Sequence, residues 1–323
     1  MSSSITDSTV KAAMEAIASN ATTEEKIQML IELAQGFQKV PKTPKDLRSA
    51  VSLYYQAYEL CNKDYPLLKA RAKAGMAGAL QAIPTAGTDL LLQAKASYEE
   101  ALSVMLKENV PQEVAEVQMN LGLVLQSLAN HNLARITDSI KSYQDALKFF
   151  TWKEFPQEYA ILHNNIAIAY LSMPLSSEKE YLQHGLAVQS FETALKYINL
   201  INHPREYAML QNNLGNALQY LPSSHPVENN LRALKAYDEA LKVRNFYDTP
   251  LEYANTIANK ANVLLNLPDN LEHPELGNSQ NLMQAREYYQ QALSIFTQHE
   301  QTEQAEIVTQ ALAEITSMIK IYE

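Results

Sequence analysis

Apolar residues recur along this chain at helical spacing, and the segments that carry them recur in turn. Counted from Pro204, the offsets +3, +6, +10, +13, +14 and +17 are Tyr207, Leu210, Leu214, Ala217, Leu218 and Leu221. Spacings of three and four place these residues on one stripe of a helix, with polar residues between them. The pattern restarts at Pro66, Pro111, Pro156, Pro204 and Pro250, at intervals of 45, 45, 48 and 46 residues. Proline suits the first helical position, where a missing N–H costs nothing. Glu113, Glu158, Glu206 and Glu252 follow two residues later, where a carboxylate favours the helix dipole. Prolines 84, 174, 222 and 268 close the segment in four copies. The punctuation predicts a first helix, helix A, of about 18 residues and about 27 Å.

Two small positions interrupt the stripe. Offsets +4 and +11 are Ala115 and Gly122, Ala160 and Ala167, Ala208 and Gly215, Ala254 and Ala261. They share a face and admit a close neighbour. Glycine in mid-helix costs about 1 kcal/mol against alanine, so Gly122 and Gly215 point to tight packing. A second helix, helix B, carries Tyr98-x-x-Ala101, Tyr143-x-x-Ala146, Phe191-x-x-Ala194, Tyr237-x-x-Ala240 and Tyr289-x-x-Ala292. Each of the first four alanines precedes the next opening proline by 10 residues, whereas the path from helix A to the alanine varies as 17, 17, 20, 18 and 24. All length variation therefore falls in the A–B loop. The longest, about 269–281, contains His273-Pro274-Glu275-Leu276-Gly277 and reads as a surface loop.

Repeats of this period stack into solenoids, which present binding surfaces in place of enclosed catalytic pockets. The expectation is an all-α, right-handed superhelical solenoid over 1–323. Six helix pairs occupy 22–301, between capping segments at 1–21 and 302–323. The first pair opens at Thr22-Thr23-Glu24-Glu25, where Thr22 and Glu25 form a capping box. A further helix is expected over 5–19, and 302–321 reads as an unpaired helix A. The terminal helices would cover the outer repeats or, alternatively, dock a second copy as a homo-oligomer.

Composition narrows the classes of function. The chain is 46% hydrophobic with only 8 Gly and 13 Pro, which favours helix over strand. A net charge of -10 argues against contact with nucleic-acid phosphates. Cys61 is the only cysteine, so no intrachain disulfide forms and a cytoplasmic location is expected. No signal-peptide pattern and no apolar run of membrane-spanning length are present, so no membrane insertion is expected.

The phrase Asn213-Leu214-Gly215 … Leu218, followed by Tyr237-x-x-Ala240-Leu241, resembles the tetratricopeptide repeat (TPR) family over essentially residues 22–321. The period of about 46 exceeds that family's 34 and is similar to kinesin light chain repeats and to bacterial arrays that precede a caspase-like CHAT protease domain. No such domain is expected after this array. The resemblance implies a superhelix whose A helices line a concave groove for a protein or extended peptide.

A second face of helix A, at offsets +2, +5, +9, +12 and +16, carries the candidate contacts. In the last pair these are Glu252, Asn255, Asn259, Asn262 and Asn266; in the one before they include Asn213 and Asn216. Offset +9 is Asn120, Asn165, Asn213 and Asn259 in four consecutive copies, but Glu32 and Gly75 in the first two. Asparagine is a mediocre helix former, and its amide both donates and accepts, as a peptide backbone requires. The resemblance supports a ligand-binding ladder. Bonding between helices of the stack is the alternative. A lysine/asparagine clamp for a C-terminal carboxylate, known in the family, finds no matching lysines here.

Catalytic constellations are not apparent. The seven histidines form no His-x-x-x-His pair, and no Gly-x-x-x-x-Gly-Lys, Gly-x-Gly-x-x-Gly or Gly-x-Ser-x-Gly occurs. No metal or cofactor is expected. Tyr159, Tyr207 and Tyr253 fall on the core stripe, and Trp152 falls in a B–A turn as a packing residue. The reading is a non-catalytic interaction module, such as an adaptor, scaffold or assembly factor. A regulator responding to a peptide or small molecule is the alternative, and nothing motivates an enzyme with a cryptic site.

Overall fold

Proline and capping side chains start the helices where the pattern places them. In the computed structural model, residues 20–84, 87–174, 180–222 and 225–322 are described; the helix expected over 5–19 lies outside them. Thirteen α-helices and one 3-10 turn make up the regular structure of the described residues. They are α1 (Thr23–Lys39), α2 (Pro44–Leu60), α3 (Pro66–Ala82), α4 (Thr88–Met105), α5 (Pro111–Asn130), α6 (Ile136–Ala146), α7 (Pro156–Leu171), α8 (Glu180–Leu195), α9 (Pro204–Gln219), α10 (Pro226–Leu241), α11 (Pro250–Leu264), α12 (Ser279–Gln298) and α13 (Thr302–Tyr322). The fold is an all-α repeat of helix pairs. The odd-numbered helices α1 to α11 are the A helices.

The Thr22 capping box forms as expected. The Thr22 N–H donates to Glu25 Oε2 at 2.7 Å, and the Glu25 N–H donates to Thr22 Oγ1 at 3.2 Å. The Thr22 N–H, with the threonine hydroxyl, holds the Glu25 carboxyl below its usual range. Helix A varies more than the punctuation suggests. It spans 20 residues in α5 but only 15 in α11, where the chain leaves the helix after Leu264 and winds through turns to a buried Leu267.

The chain divides into two compact units, Met1–Thr151 and Trp152–Glu323, a division the repeat pattern does not mark. In the first unit, each of α1 to α6 packs on its sequence neighbours, and α1 touches α3 as α3 touches α5. In the second, α7 to α13 follow the same rule, and A helix again meets A helix from α7 to α9 to α11. The core lies between A and B helices. Tyr54, Tyr98, Tyr143, Phe191, Tyr237 and Tyr289 are all buried. Burying such a ring contributes about 1.5–3 kcal/mol.

The small positions of helix A receive these rings. A Cβ on Gly215 would lie 2.6 Å from Tyr237 Cε1, and a Cβ on Gly122 would enter the Tyr143 ring. The tyrosine of helix B thus rests on the bare backbone of its own helix A. Gly75 does the same for Tyr54, from the helix after it in sequence. In α13, Val308, Ile315 and Ile319 complete the last core cluster with Tyr289 and Phe296. No described helix is long and apolar enough to cross a membrane.

Candidate functional site

The predicted asparagines separate into distinct environments. On α7 and α9 they join an amide relay. Asn213 Nδ2 donates to Asn164 Oδ1 at 2.7 Å across the two helices. Within each helix, Asn212 Nδ2 donates to Asn213 Oδ1 at 3.0 Å and Asn164 Nδ2 to Asn165 Oδ1 at 3.3 Å. Thr256 of α11 extends the relay, its Oγ1 lying 3.1 Å from Asn212 Oδ1 and accepting from Arg244 Nη1 at 2.9 Å. Asn164, Asn212 and Thr256 are buried, and a buried polar group without a partner costs about 1–3 kcal/mol. Asn165 and Asn213 are therefore tied to the stack of A helices.

Offset +12 has another duty. Tyr237 Oη donates to Asn216 Oδ1 at 2.6 Å, and Tyr289 Oη donates to Asn262 Oδ1. Elsewhere offset +15 serves: Tyr54 Oη donates to Gln38 Oε1 and Tyr143 Oη to Gln126 Oε1, both at 2.9 Å. Where helix B carries Phe191, which has no hydroxyl, the two offsets are Ile168 and Leu171. Each hydroxyl capped in this way has its amide on the A helix of the same pair. Asn266 bonds its own helix, its Nδ2 donating to the Asn262 carbonyl at 3.2 Å. Asn255 is exposed and Asn259 half-buried.

The eighth residue, Asn120, lines a cavity of about 600 Å³ on the A-helix face of the first unit. From α1 come Gln35, Gln38 and Lys39; from α3, Arg71, Gly75 and Gly78; from α5, Glu113 and Glu116. Apart from Gln38, these residues occupy offsets +2, +5, +9, +12 and +16. The cavity thus occupies the predicted stripe, mostly in the two copies whose +9 position is not asparagine, with Asn120 of the third at its edge. Their signal was legible in the offsets of the first two pairs; the missing asparagines hid it. Tyr54 and Tyr98 complete the wall.

Charge within the cavity is balanced. Arg71 donates to Glu113 through Nε and Nη2, each at 2.8 Å, a fork-to-fork pair that raises the guanidinium's already high pKa. Lys39 and Glu116 supply one further charge of each sign. Burial pushes the Tyr54 hydroxyl up to about 12 and Tyr98 higher, so both remain protonated donors at neutral pH. A smaller, mostly apolar cavity of about 460 Å³ lies at the turn between α4 and α5, among Met105, Val110, Val114 and Phe149.

In the second unit two of the predicted packing aromatics, Trp152 and Tyr159, meet at Tyr197, while the hydroxyls of Tyr207 and Tyr253 donate to Glu239 and Gln291. Trp152 stacks on Tyr197 with centroids 4.3 Å apart, and Tyr159 meets Tyr197 edge-on at 6.0 Å. The longest loop is internally bonded: the backbone N–H groups of Gln280 and Asn281 donate to the Asp269 carboxylate, each at 2.8 Å.

No family model matches the chain, and no curated protein is similar to it. Among solved structures, it is similar to a Rap protein complexed with Competence and Sporulation Factor. The identity is 14%, over 96% of this chain and 80% of that one, with a TM-score of 0.44. It is also similar to BtubC (BKLC) from P. vanneervenii, at 16% identity over 73% of this chain and 91% of that one, with a TM-score of 0.45. Likeness at this level says nothing about the chemistry of the A-helix face.

Proposed function

We propose that this chain is a long-period TPR-like protein acting as a non-catalytic interaction module, and that its A-helix face holds an extended segment of a protein partner. The cavity of about 600 Å³ over α1, α3 and α5 carries this reading. Three successive A helices supply its walls, and two glycines of α3 bring the backbone to its surface. Its polar lining mixes amide donors and acceptors with balanced charge, which suits peptide groups better than an apolar ligand. Asn120, on the predicted stripe, lies within it.

The test is selection of a displayed library of random 12-residue peptides on the full chain. Selected peptides should lose about tenfold or more in affinity on a Glu116→Arg, Asn120→Ala double variant whose helical circular dichroism is unchanged. Equal binding to both proteins would remove the peptide from this face.

A further inference from the structure

The cavity of about 460 Å³ at the turn between α4 and α5 has a counterpart that the chain covers for itself. Three helix positions set its floor: offset +3 of helix A, offset +7, and the third residue after the helix-B alanine. In the first unit these are Val114, Gln118 and Phe149, and all three line the cavity. In the second unit the same positions of α7 and of the turn after α8 carry Tyr159, His163 and Tyr197. There the rings pack on one another, Tyr159 on His163 with centroids 4.5 Å apart and edge-on to Tyr197 at 6.0 Å. Trp152, from the turn before α7, lies flat on Tyr197 at 4.3 Å, with the ring planes 9° apart.

Two differences leave the position open in the first unit. Val114 and Gln118 are smaller than the tyrosine and histidine they replace. The covering turn also takes another path. Helix α6 ends at Ala146, whereas α4 runs four residues past Ala101, to Met105, before the chain reverses through Asn109 at φ 54°. Asparagine tolerates that left-handed conformation. Both turns have the same length from alanine to proline, so the longer helix uses up the stretch that carries Trp152 back over Tyr197. Lys107, six residues after its alanine as Trp152 is, is exposed. Leu106 lines the mouth and is 64% exposed.

The wall selects against ions. Its two charges cancel, with Lys148 Nζ 2.6 Å from the Asp145 carboxylate. Gln118 Oε1 accepts from Ser142 Oγ at 2.6 Å, which holds the amide in place. The rest is largely apolar, and a buried ion without a partner is costly there. Phe149 offers the stacking face that Tyr197 gives to Trp152, and stacked rings gain beyond their buried area. The volume lies within the range of small-ligand sites, about 300–1,000 Å³.

We propose that this cavity binds one planar aromatic ring system of indole size, the group that the second unit supplies from its own chain. The ring is what the site recognises, whether it belongs to a free indole compound or to a tryptophan of a partner. The site is separate from the groove: the two cavities share Met105 but no charged residue.

The test is isothermal titration calorimetry of the full chain with N-acetyl-tryptophanamide, indole and N-acetyl-leucinamide. The tryptophan amide should bind with a Kd of about 0.1–1 mM, as its size allows, and about tenfold tighter than the leucine amide. Val114→Tyr introduces the residue of the second unit and should abolish binding with helical circular dichroism unchanged. Phe149→Leu removes the stacking face and should weaken the tryptophan amide about tenfold while sparing the leucine amide; it carries the test if Val114→Tyr fails to fold. The groove variant Glu116→Arg, Asn120→Ala should bind the ring as wild type does. Indole binding as tightly as the amide would identify a free ligand. A Leu-Trp-Leu peptide binding about tenfold tighter than the amide, and losing that gain on Leu106→Ser, would identify a partner's side chain. The ring site is overturned if no heat is seen at millimolar ligand, if Phe149→Leu and wild type bind the tryptophan amide equally, or if binding is lost on the groove variant.

Discussion

Phe191 holds the place that tyrosine takes in the other five pairs, and the facing helix changes with it. Offsets +12 and +15 are Ile168 and Leu171 opposite Phe191. Opposite Tyr143 and Tyr237, Gln126 and Asn216 accept the hydroxyl proton. Adding a hydroxyl without its acceptor should be costly. Phe191→Tyr is expected to lower stability by about 1–3 kcal/mol, and Leu171→Gln in the same chain should recover most of it. Urea denaturation of the two single variants and the double one reads the coupling, and additivity would contradict it. A second residue-scale prediction concerns His163. Its Nδ1 lies 3.1 Å from Ser190 Oγ and its ring packs on Tyr159, with centroids 4.5 Å apart. Burial pushes its pKa from 6.5 down to about 4. The folded state thus holds the neutral ring. Its stabilising contribution is complete above pH 6.5 and lost as pH falls toward 4, by linkage about 3 kcal/mol in full. His163→Gln should flatten that part of the stability profile between pH 7 and pH 4, measured by denaturant unfolding.

At the scale of helices, the amide relay through α7, α9 and α11 is the clearest case of a ligand-like pattern used for assembly. Asn212 is buried and bonds both Asn213 and Thr256. Asn212→Ala should leave Asn213 Oδ1 without its donor and break the link to Thr256, at a cost of about 1–3 kcal/mol, whereas the exposed Asn255→Ala should stay within about 0.5 kcal/mol. Equal thermal shifts for the two variants would refute the distinction. The asparagines were plain in the sequence, as were helix pairing and helix starts. Which of them bond neighbours was not, because an offset fixes a direction around one helix and not the distance to the next. The same limit concealed the cavity: its offsets repeat in every copy, but only in α3 are two of them glycines, Gly75 and Gly78.

For the molecule as a whole, each compact unit keeps its core clusters within its own bounds. Residues 1–151 produced alone should therefore retain the helical circular dichroism of their six described helices and unfold cooperatively. A broad, non-cooperative melt would argue against an independent unit. Arrays of this kind gain stability from nearest-neighbour contacts, so a break costs only one interface.

The sequence by itself determined the helices, their pairing and their packing stripes, since these depend on periodicity, capping and turn residues, all local properties of the chain. It also marked the small positions where backbone and ring must meet. Tertiary structure decided which polar groups are consumed by neighbours and which remain available. A hydrogen bond depends on two atoms meeting within about 3 Å, and that meeting is set by how helices distant in the chain lie against each other. Asn213 shows the difference: its type and its place in the repeat are the same as Asn120's, yet Asn213 bonds Asn164 across two helices while Asn120 lines the cavity over α1, α3 and α5.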